Sequence, residues 1–377
     1  MGVIVATAVN VAPTTAVLVA SPADVPVVGA DISFTLQEEA IGNYVSDNGI
    51  TLPIEEILAG HGTNYSRLRL FVDPQDGASG LESALAMAKR SRAAGMKLLL
   101  NLHYSDTWAH QNMQETPAAW KGLDLGELTA KVRSYTKEVL EEFSLQGTPV
   151  SMVQLGNEVT NGMLWPDGQV NGQQGWEAFA QLAKAAAAGV RESSAESPPR
   201  IMLHVHDGSG GKPTRDFFDN ATKHNIPFDV IGLTHYPFWG PPLGKLGRNL
   251  NALANRYDKD LIIVETAYPW TLETSEDGPN IVQRASMLPQ SEVYPPTPEG
   301  QANYFRGLRR ILANVPSGHG LGYFIWEPGW LPGVDASADG GNGYSNLTLF
   351  DWEGRALPGI EELTPAEYQP IQSRSSQ

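Results

Sequence analysis

From Val27 onward the chain repeats one unit: a short apolar run, a polar turn, then a longer amphipathic stretch. Eight such runs are readable, VVGADIS, SRLRLFV, MKLLLNLH, VSMVQLGNE, RIMLHVHD, FDVIGLTHY, DLIIVETAY and GLGYFIWE. Most are apolar nearly throughout, which marks strands covered on both faces. Between them, LESALAMAKRSRAAG, LGELTAKVRSYTKEVLEEF and WEAFAQLAKAAAAGVRESS repeat apolar residues three and four apart over a polar face, the period of a helix. Gly95 ends the first of these as a C-terminal glycine. Alternation of this kind builds βαβ units and a parallel sheet, and eight units predict one (β/α)8 barrel over residues 27–365. No G-x-G-x-x-G follows the first strand and no Walker sequence is present, so a nucleotide-binding sheet has no support.

The flanks read differently. Residues 1–26 are apolar and rich in small residues, but they carry no Lys or Arg, unlike the start of a signal peptide. They are expected to be an extension or linker packed on the barrel, with a trimmed export remnant as the other reading. Residues 366–377 read as a polar tail. No stretch after residue 26 is apolar enough to span a membrane. The net charge of −16 opposes binding to nucleic acid, anionic membranes or polyanionic substrates, so a neutral partner fits best. With no cysteine, a disulfide framework, a Cys-ligated metal and a thiol nucleophile are excluded. No obligate protein partner is evident.

A barrel of this class works at the C-terminal ends of its strands. Those ends carry Asp31 and Ser33, Arg69, His103 with Tyr104 and Asp106, Asn157 and Glu158, His204, His206 and Asp207, His235 and Tyr236, Glu265, and Trp326 with Glu327. Glu158 and Glu265 each close a nearly uninterrupted apolar strand, where a carboxylate without a task would carry a desolvation cost. They belong to the fourth and seventh strands, which face each other across a barrel. Two opposed carboxyls suit glycoside cleavage: one protonates the leaving oxygen, the other attacks or stabilises the anomeric carbon. Arg69 is expected to hold one of them ionised, with Tyr236 adding a hydrogen bond to the same group. A barrel-interior ion pair is the other reading of Arg69. Asn157 is placed to bind a sugar hydroxyl.

Six of the nine tryptophans, Trp108, Trp165, Trp239, Trp270, Trp326 and Trp330, lie on or just after a strand end. Sugars stack on such rings, although core packing is an equal alternative for any single one. The H-V-H pair at His204 and His206 resembles the metal pair of barrel amidohydrolases, but it stands on the fifth strand rather than the first, and no bridging Lys follows. A catalytic metal is therefore not expected. Glu273, Glu276 and Asp277 form an acidic patch after the seventh strand, and Asp335 with Asp339 resembles the opening of a calcium loop. Either group is a candidate for a structural calcium; a solvated acidic loop is the plainer reading.

The blocks GADIS, RLRLFVDPQDG, GMKLLLNLHYSDTWAHQNMQETPAAW, QLGNEVTNGMLWPDG, IVETAYPW and GLGYFIWEPGW, in this order from about Gly29 to Leu363, resemble glycoside hydrolase family 53. The resemblance implies a clan-A (β/α)8 barrel and a retaining endo-β-1,4-galactanase acting on galactan and type I arabinogalactan of pectin. It makes Glu158 the acid/base and Glu265 the nucleophile. It places Arg69, His103, Asn157, Tyr236 and Trp326 around the cleavage position, and Asp106, Trp108 and Trp165 along the substrate groove. His235 is expected to join the substrate-binding set. No cofactor is expected for catalysis, and calcium after strands seven and eight is a family feature whose ligand pattern is indistinct here. A secreted bacterial protein is expected. Another clan-A endo-glycanase, a mannanase or xylanase, is the nearest alternative, and a sugar-binding barrel without turnover the next.

Overall fold

The protein is described here from a computed structural model, which covers residues 25–193, 197–206, 211–335 and 341–364. Eight strands close into a barrel: β1 (Val27–Asp31), β2 (Tyr65–Leu70), β3 (Lys97–Leu102), β4 (Met152–Leu155), β5 (Arg200–Val205), β6 (Val230–Thr234), β7 (Asp260–Thr266) and β8 (Gly320–Ile325). Each pairs in parallel with its sequence neighbours, and β8 returns to β1. The expected clan-A (β/α)8 class is the fold observed. Two short helices, α1 (Thr35–Ala40) and α2 (Ile54–Gly60), lie between β1 and β2. One helix then follows each of the next six strands: α3 (Leu81–Ala93), α4 (Leu125–Leu145), α5 (Gly175–Glu192), α6 (Lys212–Lys223), α7 (Leu243–Tyr257) and α8 (Pro298–Ala313). After β8 the outer ring is completed by a 3₁₀ segment, Pro358–Leu363, packed on α8. Its Glu362 carbonyl accepts the Tyr323 hydroxyl from β8 at 2.8 Å.

Side chains inside the barrel are sorted by height. Val27, Leu99, Met152, Met202, Val230, Ile262, Val264 and Phe324 form one buried apolar plug near the strands' N-terminal ends. Gly29 leaves the space that the Phe324 ring fills, since a Cβ there would sit 2.2 Å from it. Two residues beyond the plug, alternation brings Arg67, Asn101, Gln154 and His204 to the same inner face, all buried. The barrel thus changes from apolar to polar within one layer, and everything above that layer faces the mouth.

Strand β7 breaks the alternation. Between Ile263 and Glu265 it carries one residue more than β6, and between Ile263 and Thr266 one more than β8. Simple alternation from Ile262 and Val264 would turn Glu265 outward; the extra residue turns it in. Outside the barrel, Asp124 caps α4 in a capping box with Glu127. Arg90 of α3 forks onto Glu39 and Glu55, four contacts of 2.6–2.9 Å that tie the short first helices to the ring. Of the N-terminal extension only Val25, fully buried, and Pro26, whose carbonyl accepts the Asn64 amide at 2.8 Å, fall within the described residues. Residues 1–24 and the tail 366–377 lie outside them. Among the described residues no helix is long and apolar enough to cross a membrane.

Candidate active site

A cavity of about 470 Å³ opens at the C-terminal mouth of the barrel, lined by Asp31, Arg67, Arg69, Asn101, His103, Asn157, Glu158, His206, Tyr236 and Glu265 and walled by Trp108, Trp239, Trp326, Trp330 and Tyr344. Both central glutamates face it and are 7% exposed. Glu265 is held from the barrel interior by Arg67, whose Nη2 lies 2.7 Å from Oε1. The same guanidinium binds Asp31 at 2.8 Å and donates to Asn157 Oδ1 at 2.9 Å. It thereby links the ends of β1, β4 and β7. Tyr236 donates to Glu265 Oε2 at 3.5 Å, the long limit for such a bond.

The guanidinium that holds Glu265 is therefore not that of Arg69. Arg69 points into the same cavity but pairs with Glu327 at 2.5 Å, donates from Nε to Ser79 at 3.0 Å, and lies over the rings of Phe34 and Trp108 at 4.0 and 4.5 Å. The expectation that Arg69 would hold one of the two central carboxylates is corrected: Arg67, one inward position deeper, does so. Inspection of strand ends alone passes over it, yet the R-x-R of SRLRLFV is the signal, because both arginines must share a face.

Glu158 follows β4 in the left-handed region, with φ 47° and ψ 49°. Its Oε1 accepts from His206 Nδ1 at 2.9 Å and from the Thr234 hydroxyl at 2.8 Å. Asn157 turns the other way, its Oδ1 receiving Arg67, Asn101 and Gln154 while its Nδ2 donates to the Ala109 carbonyl at 2.8 Å. His103 and His204 are buried, and burial followed by the charge of Arg67 pushes both well below the usual imidazole range. They are neutral hydrogen-bonding groups. His204 reaches Thr234 from Nε2 and Gln154 at Nδ1, and no three metal-ligating side chains converge anywhere among the described residues.

Burial pushes Glu265 up to about 7, with the Arg67 cation pulling down and the Glu158 charge pushing up. Glu158 is driven the other way: burial would raise it, but the hydrogen bond and charge of His206 and the bond from Thr234 hold it below the ordinary carboxylate value. Each carboxylate opposes ionisation of the other, so from mildly acid pH to about 7 the pair holds a single proton. The Tyr236 phenol, raised by burial and by Glu265, remains a donor throughout.

Other expected positions fall elsewhere. Asp106 lines a second groove of about 670 Å³ that shares Arg69 and Trp108 with the central cavity. Its carboxylate clamps two backbone N–H groups, of Asp73 at 3.1 Å and Ala118 at 2.7 Å. Trp165 does not line the cavity; its indole donates to the Asn161 carbonyl at 3.1 Å and its main chain pairs with Gln114, bracing two loops. His235 is buried against Gly240, and its backbone N–H donates to the Glu265 carbonyl, so its contribution is to the β6–β7 register rather than the cavity surface. Trp270 packs on Trp352 away from the mouth. In the acidic loops Asp277 accepts the Gly333 N–H at 2.8 Å and Asp335 the Gly341 N–H at 2.6 Å. Among the described residues Glu273, Glu276, Asp277 and Asp335 form no group of three metal-ligating side chains; Asp207 and Asp339 lie outside the described residues.

Paired carboxyls in an aromatic-walled cleft at the mouth of a (β/α)8 barrel define a glycoside hydrolase. The sequence profile of Glycosyl hydrolase family 53 matches residues 27–363, and the chain belongs to that family. It is 38% identical over 333 residues to a probable arabinogalactan endo-β-1,4-galactanase A of Neosartorya fischeri, covering 86% of this chain and 88% of that one. Among solved structures it resembles a fungal β-1,4-galactanase, with TM-score 0.80 and 32% identity over 90% of this chain and 99% of the other. It also resembles the family 53 catalytic domain of Ignisphaera aggregans, with TM-score 0.83 and 31% identity over 92% and 97%.

Proposed function

We propose that this protein is an endo-acting, retaining β-1,4-galactanase that cleaves internal bonds of neutral galactan and the galactan backbone of type I arabinogalactan. The observation that carries the assignment of roles is the asymmetry of the two carboxyls. Glu265 is fixed by the permanent Arg67 cation in the barrel interior and serves as nucleophile, while Glu158, held at the rim by the His206 imidazole and the Thr234 hydroxyl, serves as acid/base. Glu265 attacks the anomeric carbon as Glu158 delivers its proton to the departing glycosidic oxygen; Glu158 then takes a proton from the water that opens the galactosyl–enzyme ester. Arg67 and Tyr236 stabilise the charge on Glu265 before attack and after release.

The polymer is accommodated by an open cleft rather than a closed pocket. From the carboxylates the surface continues past Trp108 into the groove edged by Asp106, Phe71 and Lys121. Trp326 and Trp108, 6.5 Å between ring centroids, wall the central cavity, and Trp108 continues into that groove. A continuous trough on both sides of the scissile position is what internal cutting needs. No cofactor takes part in these steps, and the working environment is proposed to be extracellular, where such a polysaccharide is met. Reducing ends released from linear galactan, mannan and xylan test the substrate: galactan alone is expected to yield oligosaccharides. Equal or greater release from mannan or xylan would reject the assignment, and galactan binding without release would mark a non-catalytic barrel.

A further inference from the structure

Glu158 has two oxygens, and they are not equivalent. Oε1 receives both hydrogen bonds, from His206 Nδ1 at 2.9 Å and from the Thr234 hydroxyl at 2.8 Å. Among the described residues Oε2 has no hydrogen-bond partner, and the Glu158 side chain lines the cavity. The direction of each bond is fixed by its surroundings. His204 Nδ1 faces two donors, the Gln154 amide at 3.0 Å and the Glu158 backbone N–H at 3.3 Å, whereas Asn157 Oδ1, 3.2 Å away, already receives Arg67, Asn101 and Gln154; this assigns the hydrogen of the neutral ring to Nε2. That N–H is 2.8 Å from the Thr234 oxygen, which accepts it and turns its own hydrogen to Glu158. While Glu158 is ionised its Oε1 only accepts, so His206 Nδ1 carries a hydrogen toward it.

We propose that His206 and Thr234 are positioning residues that reserve Oε2 of Glu158 as the single oxygen carrying the catalytic proton. An oxygen already receiving two donors has no lone pair aimed at the cavity, so the proton resides on Oε2, toward the glycosidic oxygen. In glycosylation the O–H bond at Oε2 breaks and its proton goes to the leaving oxygen as the C–O bond opens. In deglycosylation a water O–H bond breaks, its proton returns to Oε2, and the hydroxyl joins the anomeric carbon as the ester bond to Glu265 breaks and releases its carboxylate. His206 and Thr234 keep their own hydrogens throughout. Without them the carboxyl is free to rotate, and its proton distributes over two oxygens, one of which cannot reach the substrate.

The inference rests on the acid/base reading of Glu158, and the test separates the two. Galactan needs its leaving group protonated, whereas 2,4-dinitrophenyl β-1,4-galactobioside does not. His206→Leu and Thr234→Val are each expected to lower kcat/KM on galactan by about 10- to 100-fold and on the dinitrophenyl substrate by less than about 3-fold. His206→Asn, which keeps an N–H near the position of Nδ1, is expected to restore most of the galactan rate. Equal losses on both substrates, or an Asn variant as impaired as Leu, would overturn the proposal and leave a general structural role. Glu158→Ala on the same two substrates is the control: if it also loses both equally, the acid/base reading fails, not the positioning one. His206 is about one-third exposed, so the Leu variant is expected to fold, with an unchanged melting temperature as the check.

Discussion

At the scale of single residues the site is governed by how one proton is shared between two carboxyls. The pair loses its last proton near pH 7, where Glu265 titrates, and gains a second only below the ordinary carboxylate range, where Glu158 does. Catalysis uses the fraction of the singly protonated pair in which the proton sits on Glu158 and Glu265 is ionised, so kcat/KM on galactan is expected to hold a plateau on the acid side and to fall as the pair loses that proton through about pH 7. A profile still rising from pH 7 to 9 would contradict this. Removing the Arg67 cation lets Glu265 keep its proton to higher pH, so Arg67→Met is expected to move the alkaline limb upward. The same variant should lose about 10²–10³ in kcat with the lost charge stabilisation. It also strands Asp31, so a stability loss of about 3–5 kcal/mol in denaturant melts is expected. Arg69→Met should leave the alkaline limb in place, because its carboxylate partner is Glu327.

At the scale of elements, the predicted helices over 81–95, 125–143 and 176–194 appear as α3, α4 and α5 with ends displaced by at most a few residues. Their period was legible because one face of each packs on the sheet. The turn of Glu265 into the barrel was not, since it depends on one extra residue in β7 relative to both neighbours, a property of pairing that a single strand does not display. The eighth helix is also replaced by a 3₁₀ segment, where Pro358 and Gly359 disfavour a longer helix. Two predictions belong to this scale. Asp124→Ala removes the α4 cap and should cost about 1 kcal/mol in urea unfolding without changing kcat. In α1, burial pushes Glu38 up to about 8, so the folded state holds a proton that the unfolded chain releases near pH 4.5. Stability on this account is full below about 4.5 and declines as pH rises to about 8. Glu38→Gln should therefore gain melting temperature over the native protein progressively across that interval; parallel curves would refute the assignment.

For the molecule as a whole, the negative charge and the aromatic mouth belong together: a neutral polymer is not repelled by the acidic surface, and it is gripped by ring faces. The barrel class and the two glutamates were readable because eight apolar runs each end in polar residues. The partners of those glutamates were less so. Arg67, Gln154 and Asn101 lie inside strands rather than at their ends, and only closure of the barrel brings them within 2.7–3.4 Å of one another and brings Arg67 to Glu265. Trp165 and His235 were expected in the substrate-binding set, but loop geometry turns them to a backbone brace and wall packing; Asp106 lines the neighbouring groove while its carboxylate clamps two backbone N–H groups. Trp239, 57% exposed on the cavity wall, is the ring expected to stack on the polymer with least part in the fold. Trp239→Ala is expected to raise KM on galactan by about 3- to 10-fold with the melting temperature unchanged.

The division of labour between Glu265 and Glu158 is tested most directly by azide rescue with 2,4-dinitrophenyl β-1,4-galactobioside, reading the anomeric configuration of the galactosyl azide by NMR. Glu265→Ala is expected to give the α-azide, because azide attacks in place of the missing nucleophile. Glu158→Ala is expected to give the β-azide, because azide intercepts the galactosyl–enzyme in place of base-activated water. The reverse pair of products, or full galactan hydrolysis by either variant without azide, would contradict the account.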